Sequence, residues 1–176
     1  MYCSNYMDRI DTISHIPMYT QKPLVTTKVA DLCNMNTLGA GQEAIVAVYC
    51  GAYNQEDSLL IKRSFIERGG FRTFTYRSFT EEERKMGTCR TELFECPSKK
   101  NVFGFRLANY DKIEKDGFPT PGTYISQNDV IVGKTVGIVN NSSKRRDVSI
   151  IAKKNETGTV ERVSVSTSVD TGMRQA

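Results

Sequence analysis

The sequence predicts a mainly β protein with short helices, in which the first part mixes helix and strand and the second half forms a sandwich or barrel. Two observations lead to this prediction. The chain has 176 residues and is 39% hydrophobic, which is enough to build the core of a globular domain. From residue 71 onward, short β-branched and aromatic runs alternate with Pro, Gly, Asn and Asp. Such alternation is typical of sandwiches and barrels.

Apolar spacing and proline positions predict the first elements of the chain. Apolar residues recur every three or four positions over residues 1–16, which predicts one face of a helix that Pro17 ends. Residues 21–24 are predicted to be extended, because the proline at position 23 moves the residue before it out of the helical region. The apolar residues of the predicted helix face are Tyr6, Ile10, Ile13 and Ile16.

The middle of the chain is predicted to hold two strands and one short helix. Residues 44–49 are rich in alanine and valine and predict a strand buried on both faces, and residues 59–62 predict a brief strand. Ser64 and Glu67 have the spacing of a capping box, which predicts a short helix. Gly69-Gly70 is expected to end that helix with a positive φ.

The second half of the chain is predicted to consist of strands. Residues 71–79 are rich in aromatic residues and threonine, and further β-branched runs follow between turn residues. Gly133 is predicted to mark a β turn between two of these runs. The further candidate strands are residues 92–94, 102–107, 123–126, 129–132, 148–152 and 158–166.

Composition and cysteine spacing limit the classes of function. The formal net charge of +4 is compatible with a polyanionic partner but does not require one. Five cysteines without a CxxC pair, with His15 as the single histidine, predict that this segment holds no zinc. The odd cysteine count and the lack of a signal-peptide pattern predict an intracellular location. The longest apolar run is about half of what a bilayer requires, so no membrane segment is predicted.

Two neighbouring acids, Glu56 and Asp57, are the main candidates for chemistry. They follow the predicted buried strand, where unpaired charge costs free energy to desolvate, so we expect them to face a cation. A salt bridge between an arginine and Glu56 or Glu67 is one such arrangement. Taken alone, the pair also fits a structural role in which Asp57 caps a turn and Glu56 is solvated. The nearby arginines are Arg63, Arg68, Arg72 and Arg77.

Several short motifs follow one another along the chain. In the first half these are Gln21-Lys22-Pro23-Leu24, Ala44-Ile45-Val46-Ala47, Tyr53-Asn54-Gln55-Glu56-Asp57-Ser58 and Glu67-Arg68-Gly69. In the second half they are Tyr110-Asp111-Lys112, Asp116-Gly117, Pro121-Gly122 and Asp129-Val130-Ile131-Val132-Gly133-Lys134-Thr135. In order and spacing the whole set resembles the second-largest subunit of multisubunit DNA-directed RNA polymerases. Gln55 and Ser58 resemble the RNA polymerase II, archaeal and large-virus branch.

The resemblance implies that the chain is a fragment of a larger subunit. Residues 1–72 correspond to part of the hybrid-binding region with the Glu-Asp motif, and residues 73–170 correspond to the wall, or flap. Residues 171–176 correspond to the start of the return into the hybrid-binding region. The family's phosphate-contacting arginine and its active-site lysines are expected to lie outside these 176 residues. We therefore expect the isolated fragment to be inactive.

The resemblance also implies a metal-assisted role for the acid pair. Asp57, and with it Glu56, is expected to help recruit the second, nucleotide-associated Mg²⁺ across a cleft from the aspartates of the largest subunit. Lys22, Arg68 and Arg72 are expected to contact nucleic-acid phosphate. The implied partners are the largest subunit, the other polymerase subunits, the RNA–DNA hybrid, the nucleoside triphosphate and transcription factors. The implied location is the nucleus of a eukaryotic cell, or the cytoplasm or virion for a viral source.

Two other classes of function compete with this interpretation. The first is a non-catalytic β wall module that binds nucleic acid or factors without supplying metal ligands. The second is a carrier-like β module, suggested by residues 122–133, but a carrier needs an exposed lysine at a hairpin tip, and Lys134 follows the strand glycine instead. One departure from the family pattern affects the acid loop, because Ala52 stands where the family has a glycine. Alanine disfavours a positive φ at that position.

Overall fold

The computed structural model describes residues 6, 8–35, 37, 39–87, 90–100, 102–138 and 141–176 of the chain. The chain divides into two compact units, Met1–Phe79 and Thr80–Ala176. Strands predominate over helices in the described part, which confirms the prediction of a mainly β protein. The sheets of the described residues do not close into a barrel.

The first unit contains one two-stranded sheet and two short helices. Strand β1 (Ile13–Pro17) pairs antiparallel with β2 (Thr73–Arg77), so that His15 lies opposite Thr75. Helix α1 (Lys28–Leu32) begins where the hydroxyl of Thr27 accepts a hydrogen bond from the Ala30 N–H. Helix α2 (Arg63–Glu67) precedes β2.

The second unit is built around a five-stranded sheet with the order β3-β4-β8-β9-β5. All pairs in this sheet are antiparallel except β5 with β9. Three two-stranded sheets, β7 with β10, β6 with β11 and β12 with β13, complete the unit. The bounds of the five central strands are β3 Lys85–Met86, β4 Arg90–Phe94, β5 Val102–Phe103, β8 Lys134–Ile138 and β9 Asn141–Asp147. The remaining strands are β6 Tyr124–Ile125, β7 Val130–Val132, β10 Ile150–Ile151, β11 Gly158–Thr159, β12 Ser166–Thr167 and β13 Arg174–Gln175.

A small aromatic core holds the second unit together. Phe94, Phe118 and Val132 are buried against one another, and the two phenylalanine rings lie 5.0 Å apart between centroids. Partly buried apolar side chains surround this cluster. Burying such side chains supplies most of the free energy that favours folding. The surrounding side chains are Ile131, Ile150, Val163 and Ala176.

Buried charges around this core have partners. The Lys134 ammonium lies 2.6 Å from a Glu92 carboxylate oxygen and 3.2 Å from one of Glu81. Glu83 accepts hydrogen bonds from the Arg174 guanidinium at 2.6 and 3.0 Å. Pairing of this kind is what makes a buried charge tolerable.

The predicted helix over residues 1–16 is wrong for the part that the structure describes. Tyr6 lies in a turn, Ile10 is exposed, and Ile13–Pro17 is strand β1. Within β1 the burial alternates, with Ser14 and Ile16 buried, so the governing period is two. Residues 1–5 and 7 lie outside the described part.

The predicted strands at residues 44–49 and 59–62 are also wrong. Both segments are exposed and lack regular structure, and Val46 and Val48 keep 78% and 97% of their surface in contact with solvent. No strand among the described residues lies opposite either segment. An apolar run without a hydrogen-bonding neighbour does not form a strand, whatever its composition.

The other predicted helix and strands form, but several details of their prediction are wrong. Helix α2 forms where a helix was predicted, but its N-cap is Lys62 and no side chain caps it, so the capping box is wrong. Gly69 has the expected positive φ of 94°. Gly133 joins β7 to β8 without a turn, and a Cβ there would lie 2.6 Å from the Glu95 carbonyl oxygen. A strand forms in each candidate range, but most of the strands are shorter than the range predicted. The range 158–166 contains β11 and only the first residue of β12.

Candidate functional site

The acid pair lies on a loop that the side chain of Asn54 holds together. Its amide oxygen accepts a hydrogen bond from the Gly51 N–H at 2.7 Å, and its amide nitrogen donates to the Tyr49 carbonyl at 2.9 Å. Asn54 is half-buried, while Tyr53 and Gln55 beside it are exposed. The two bonds close the loop immediately before the acids.

Glu56 adopts a left-handed backbone conformation in this loop, with φ of 57°. The Ser58 N–H donates to the Gln55 carbonyl at 3.4 Å, so Glu56 and Asp57 are the two central residues of a turn. Ala52 is not among the described residues with a positive φ. The strained position of the loop therefore lies at the first acid, Glu56, and not at Ala52.

The carboxylates of Glu56 and Asp57 are exposed and available. In the part of the chain that the structure describes, neither forms an ion pair or hydrogen bond. Of the two expected salt bridges, from a nearby arginine to Glu56 or to Glu67, the one to Glu67 forms, since Arg63 pairs with Glu67 at 2.7 Å along α2. The expectation that the acids sit at the end of a buried strand is wrong, since no such strand forms and their desolvation cost is small.

The acid pair fits a magnesium ion that brings most of its own ligands. Mg²⁺ prefers oxygen donors and retains waters and substrate oxygens, so one or two carboxylates are a sufficient protein contribution. The described residues include no group of three or more His, Cys, Asp or Glu side chains that could enclose a metal. The two carboxylates could supply only part of the coordination shell of such an ion.

Lys22 lies in a segment that is tied to residues 41–43. The Gln21 N–H donates to the Gly41 carbonyl at 2.8 Å, and the Gln21 side-chain oxygen accepts from the Glu43 N–H at 2.6 Å. The Glu43 carboxylate accepts from the Leu24 N–H at 3.1 Å. The backbone is thus held on both sides of Lys22, whose side chain is exposed.

Arg68 and Arg72 lie on either side of the turn that follows α2. Arg68 is the C-cap residue of α2. The carbonyl of Arg72 accepts a hydrogen bond from the Met18 N–H at 2.9 Å. Both arginine side chains are exposed, and no ion pair involves either of them in the described part of the chain.

Sequence reasoning missed Gln42, which joins these cationic segments. Its amide nitrogen donates to the Tyr19 carbonyl at 2.7 Å, and its amide oxygen accepts from the Phe71 N–H at 2.8 Å. One side chain therefore bridges the segment before Lys22 and the segment before Arg72. Neither apolar spacing nor charge marks a glutamine as such a bridge. No described hydrogen bond or ion pair joins these segments to the loop of the acid pair.

No described helix is long and apolar enough to cross a membrane. Among the described cysteines, Cys33, Cys50 and Cys96 are unpaired. Burial raises the pKa of the Cys96 thiol, and the nearby carboxylates of Asp111 and Glu95 raise it further. A thiol in such surroundings is less reactive than an ordinary one.

Comparison with known proteins gives matches over almost the whole chain. The family model described as RNA polymerase Rpb2, domain 6, matches residues 1–175. A DNA-directed RNA polymerase II subunit 2 from Arabidopsis thaliana is 42% identical over 99% of this chain and 15% of its own length. Subunit RPB2 from Schizosaccharomyces pombe is 40% identical over 95% of the chain, and subunit Rpo2 from Sulfolobus acidocaldarius is 31% identical over 97%. The chain spans 15% of the first two relatives and 16% of the third.

Proposed function

The chain belongs to the RNA polymerase Rpb2 domain 6 family, and from that membership we propose that it works within a DNA-directed RNA polymerase, to which it contributes Glu56 and Asp57. The polymerase would make RNA from nucleoside triphosphates on a DNA template. The observation that carries the proposal is the family match over residues 1–175, with two exposed and unpaired carboxylates on its acidic motif.

Asp57 is the proposed ligand, and Glu56 supports it directly or through water. When bound, the nucleotide-associated Mg²⁺ neutralises charge on the phosphate oxygens and on the leaving pyrophosphate. No other partner would have to be displaced before the carboxylates bind the metal, because none of the described residues pairs with them. The Asn54 clamp restricts the loop, which limits the entropy lost when a carboxylate is ordered.

Lys22, Arg68 and Arg72 are proposed to contact the phosphates of the RNA–DNA hybrid. Their exposed cationic side chains suit phosphate contacts, which position a nucleic acid without reading its sequence. The proposed protein partners are the largest subunit, the other polymerase subunits and transcription factors. The proposed location is wherever that polymerase transcribes, which is the nucleus for a eukaryotic enzyme and the cytoplasm or virion for a viral one.

A second candidate function is a wall segment that binds nucleic acid or factors and supplies no metal ligand. One observation favours it: the five-stranded sheet and the described aromatic core both lie in Thr80–Ala176, which does not contain the acid pair. The two candidates differ in whether nucleotide addition depends on Asp57.

The test is the magnesium dependence of single-nucleotide addition by the complete polymerase carrying Asp57→Ala. We expect the rate to fall at least about tenfold at limiting magnesium, because removal of a transition-state ligand costs free energy. Asp170→Ala, at an exposed acid in the second unit, is the matched control and should behave as wild type. An unchanged rate and unchanged magnesium dependence in Asp57→Ala would leave the non-catalytic wall function as the correct one. The isolated chain should show no templated synthesis.

A further inference from the structure

Three separate segments of the first unit meet at the side chain of Gln42. Tyr19 lies 23 residues before it and Phe71 lies 29 residues after it, yet the amide bonds to the backbone of both. Gln42 is half-buried, whereas Gly41 and Glu43 on either side are exposed. A half-buried amide that satisfies both a donor and an acceptor orders the segments it joins.

Each joined segment carries an exposed cation close to the Gln42 contact. Arg72 directly follows Phe71, and Lys22 is three residues after Tyr19, which is at most about 10 Å of extended chain. A further hydrogen bond, from the Met18 N–H to the Arg72 carbonyl, aligns the same two segments. Lys22 and Arg72 are thus presented from two chain segments fixed against each other.

The Phe71 side of the contact is strained. Phe71 has a φ of 55°, a left-handed conformation that is unfavourable for a bulky residue. Its N–H is the group that donates to Gln42, so the amide helps to hold this unfavourable conformation. Strain of this kind persists only where the surrounding structure enforces it.

Close packing around Tyr19 and Gln21 leaves room only for glycine at positions 39 and 69. A Cβ on Gly39 would lie 2.2 Å from the Gln21 carbonyl oxygen, and a Cβ on Gly69 would lie 2.5 Å from the Tyr19 ring. The backbone before Lys22 therefore approaches residue 39 closely, and the Tyr19 ring lies against the turn that leads to Arg72. These close approaches help Gln42 to hold the Tyr19 segment and the Phe71 segment in a fixed alignment.

We infer that Gln42 is a positioning residue, which holds Lys22 and Arg72 in one fixed arrangement so that both meet the backbone of the same nucleic acid. The inference rests on the proposed function, since it assumes that these cations contact phosphate. Gln42 itself carries no charge, and its amide is already bonded to the backbone of Tyr19 and Phe71. Its effect on nucleic-acid binding would act only through the two segments.

The experiment uses complete polymerase with a preassembled RNA–DNA hybrid, and measures the binding affinity against salt concentration. Each phosphate contact contributes about one to the slope of log affinity against log salt, so Lys22→Gln and Arg72→Gln should each reduce that slope by about 1. Gln42→Met keeps the length of the side chain and removes both hydrogen bonds. We expect it to reduce the slope by about 1 to 2 although no charge is lost.

Two further measurements separate positioning from general destabilisation. When Lys22→Gln is added to Gln42→Met, it should reduce the salt slope further. That further reduction should be clearly smaller than the reduction that Lys22→Gln causes in the wild-type polymerase. Amide exchange at Phe71 should accelerate in Gln42→Met, independently of activity. Gln127→Met, an exposed glutamine in the second unit, is the matched control and should leave slope and exchange unchanged. Gln42→Asn, too short to reach both partners, should give an intermediate slope if Gln42→Met fails to assemble.

The outcomes distinguish the inference from the function beneath it. If Lys22→Gln and Arg72→Gln lower the slope but Gln42→Met and Gln42→Asn do not, the cations contact nucleic acid and Gln42 does not position them. If neither cation variant changes the slope, the proposed phosphate contacts are wrong and the inference fails with them. A reduced slope in Gln42→Met, with faster exchange at Phe71, supports the inference.

Discussion

Asp129 provides a stability prediction whose size follows from its contacts. Its side chain is buried, and one carboxylate oxygen accepts hydrogen bonds from the Lys112 ammonium at 2.6 Å and from the N–H and hydroxyl of Ser126, both at 2.7 Å. The other oxygen accepts from the Asn109 amide at 3.1 Å. Burial alone would raise the pKa of Asp129, but these hydrogen bonds outweigh it and lower the pKa from 3.8 to about 2.

The lowered pKa of Asp129 converts into a pH-dependent free energy of unfolding. The two pKa values differ by about 1.8, and each pKa unit corresponds to about 1.36 kcal/mol, which gives about 2.5 kcal/mol. Because the pKa is lower in the folded state, this contribution is complete well above the unfolded value of 3.8 and is lost as pH falls toward 2. Asp129→Asn should therefore lower stability by about 2 kcal/mol at pH 7, and by much less near pH 2.

Urea denaturation of the 176-residue chain measures this difference in the free energy of unfolding. Circular dichroism is the signal, because the chain has no tryptophan to serve as a fluorescent probe. Asp170→Asn, an exposed acid, is the control and should have no effect. Equal stability of Asp129→Asn and wild type at pH 7 would refute the reasoning. So would a deficit that stays constant from pH 7 to pH 2, because it would show that the cost does not arise from the ionised carboxylate.

Two further substitutions test the packing of each unit by the same denaturation experiment. Arg174→Met should lower the free energy of unfolding by about 2–3 kcal/mol, because it leaves the Glu83 carboxylate, only 4% exposed, without its cation; a loss below about 0.5 kcal/mol would contradict this. Gly69→Ala should cost about 1–3 kcal/mol, since it adds a Cβ at a φ of 94° against the Tyr19 ring. Gly158→Ala, where a Cβ meets nothing within 4 Å, is its control, and equal effects of the two would refute the steric explanation.

Sequence patterns predicted β2 of the first unit and most strands of the second unit correctly. Strand β4 over Arg90–Phe94 buries Phe94, and β7 over Val130–Val132 buries both of its valines. Strand β1 was predicted as a helix because its partner β2 lies some 60 residues further on, and a local window cannot include that pairing. Residues 44–49 show the converse error, since a strand-like composition has no neighbouring strand there.

The sequence named the candidate residues of the site but not their arrangement. Its motifs singled out Glu56 and Asp57 as candidate metal ligands and Lys22, Arg68 and Arg72 as candidate phosphate contacts, and these roles stay predictions. The left-handed conformation at Glu56 was not predictable, because the sequence pointed to Ala52 as the position where φ matters. Gln42 was not predictable either, because its two hydrogen bonds join backbone groups that only the fold brings together.

The two units owe their order to different interactions, and this difference decides which assay reports on each. In Thr80–Ala176, charges such as Glu83 and Asp129 are buried and paired beside an aromatic core, so their loss appears as lost stability. In Met1–Phe79, the loops that carry the acids and the cations are ordered by the amides of Asn54 and Gln42. A single hydrogen bond contributes only about 1 kcal/mol to stability, but it fixes the position of the charge beside it. Substitutions of Asn54 and Gln42 should therefore alter magnesium and salt dependence more than they alter the free energy of unfolding.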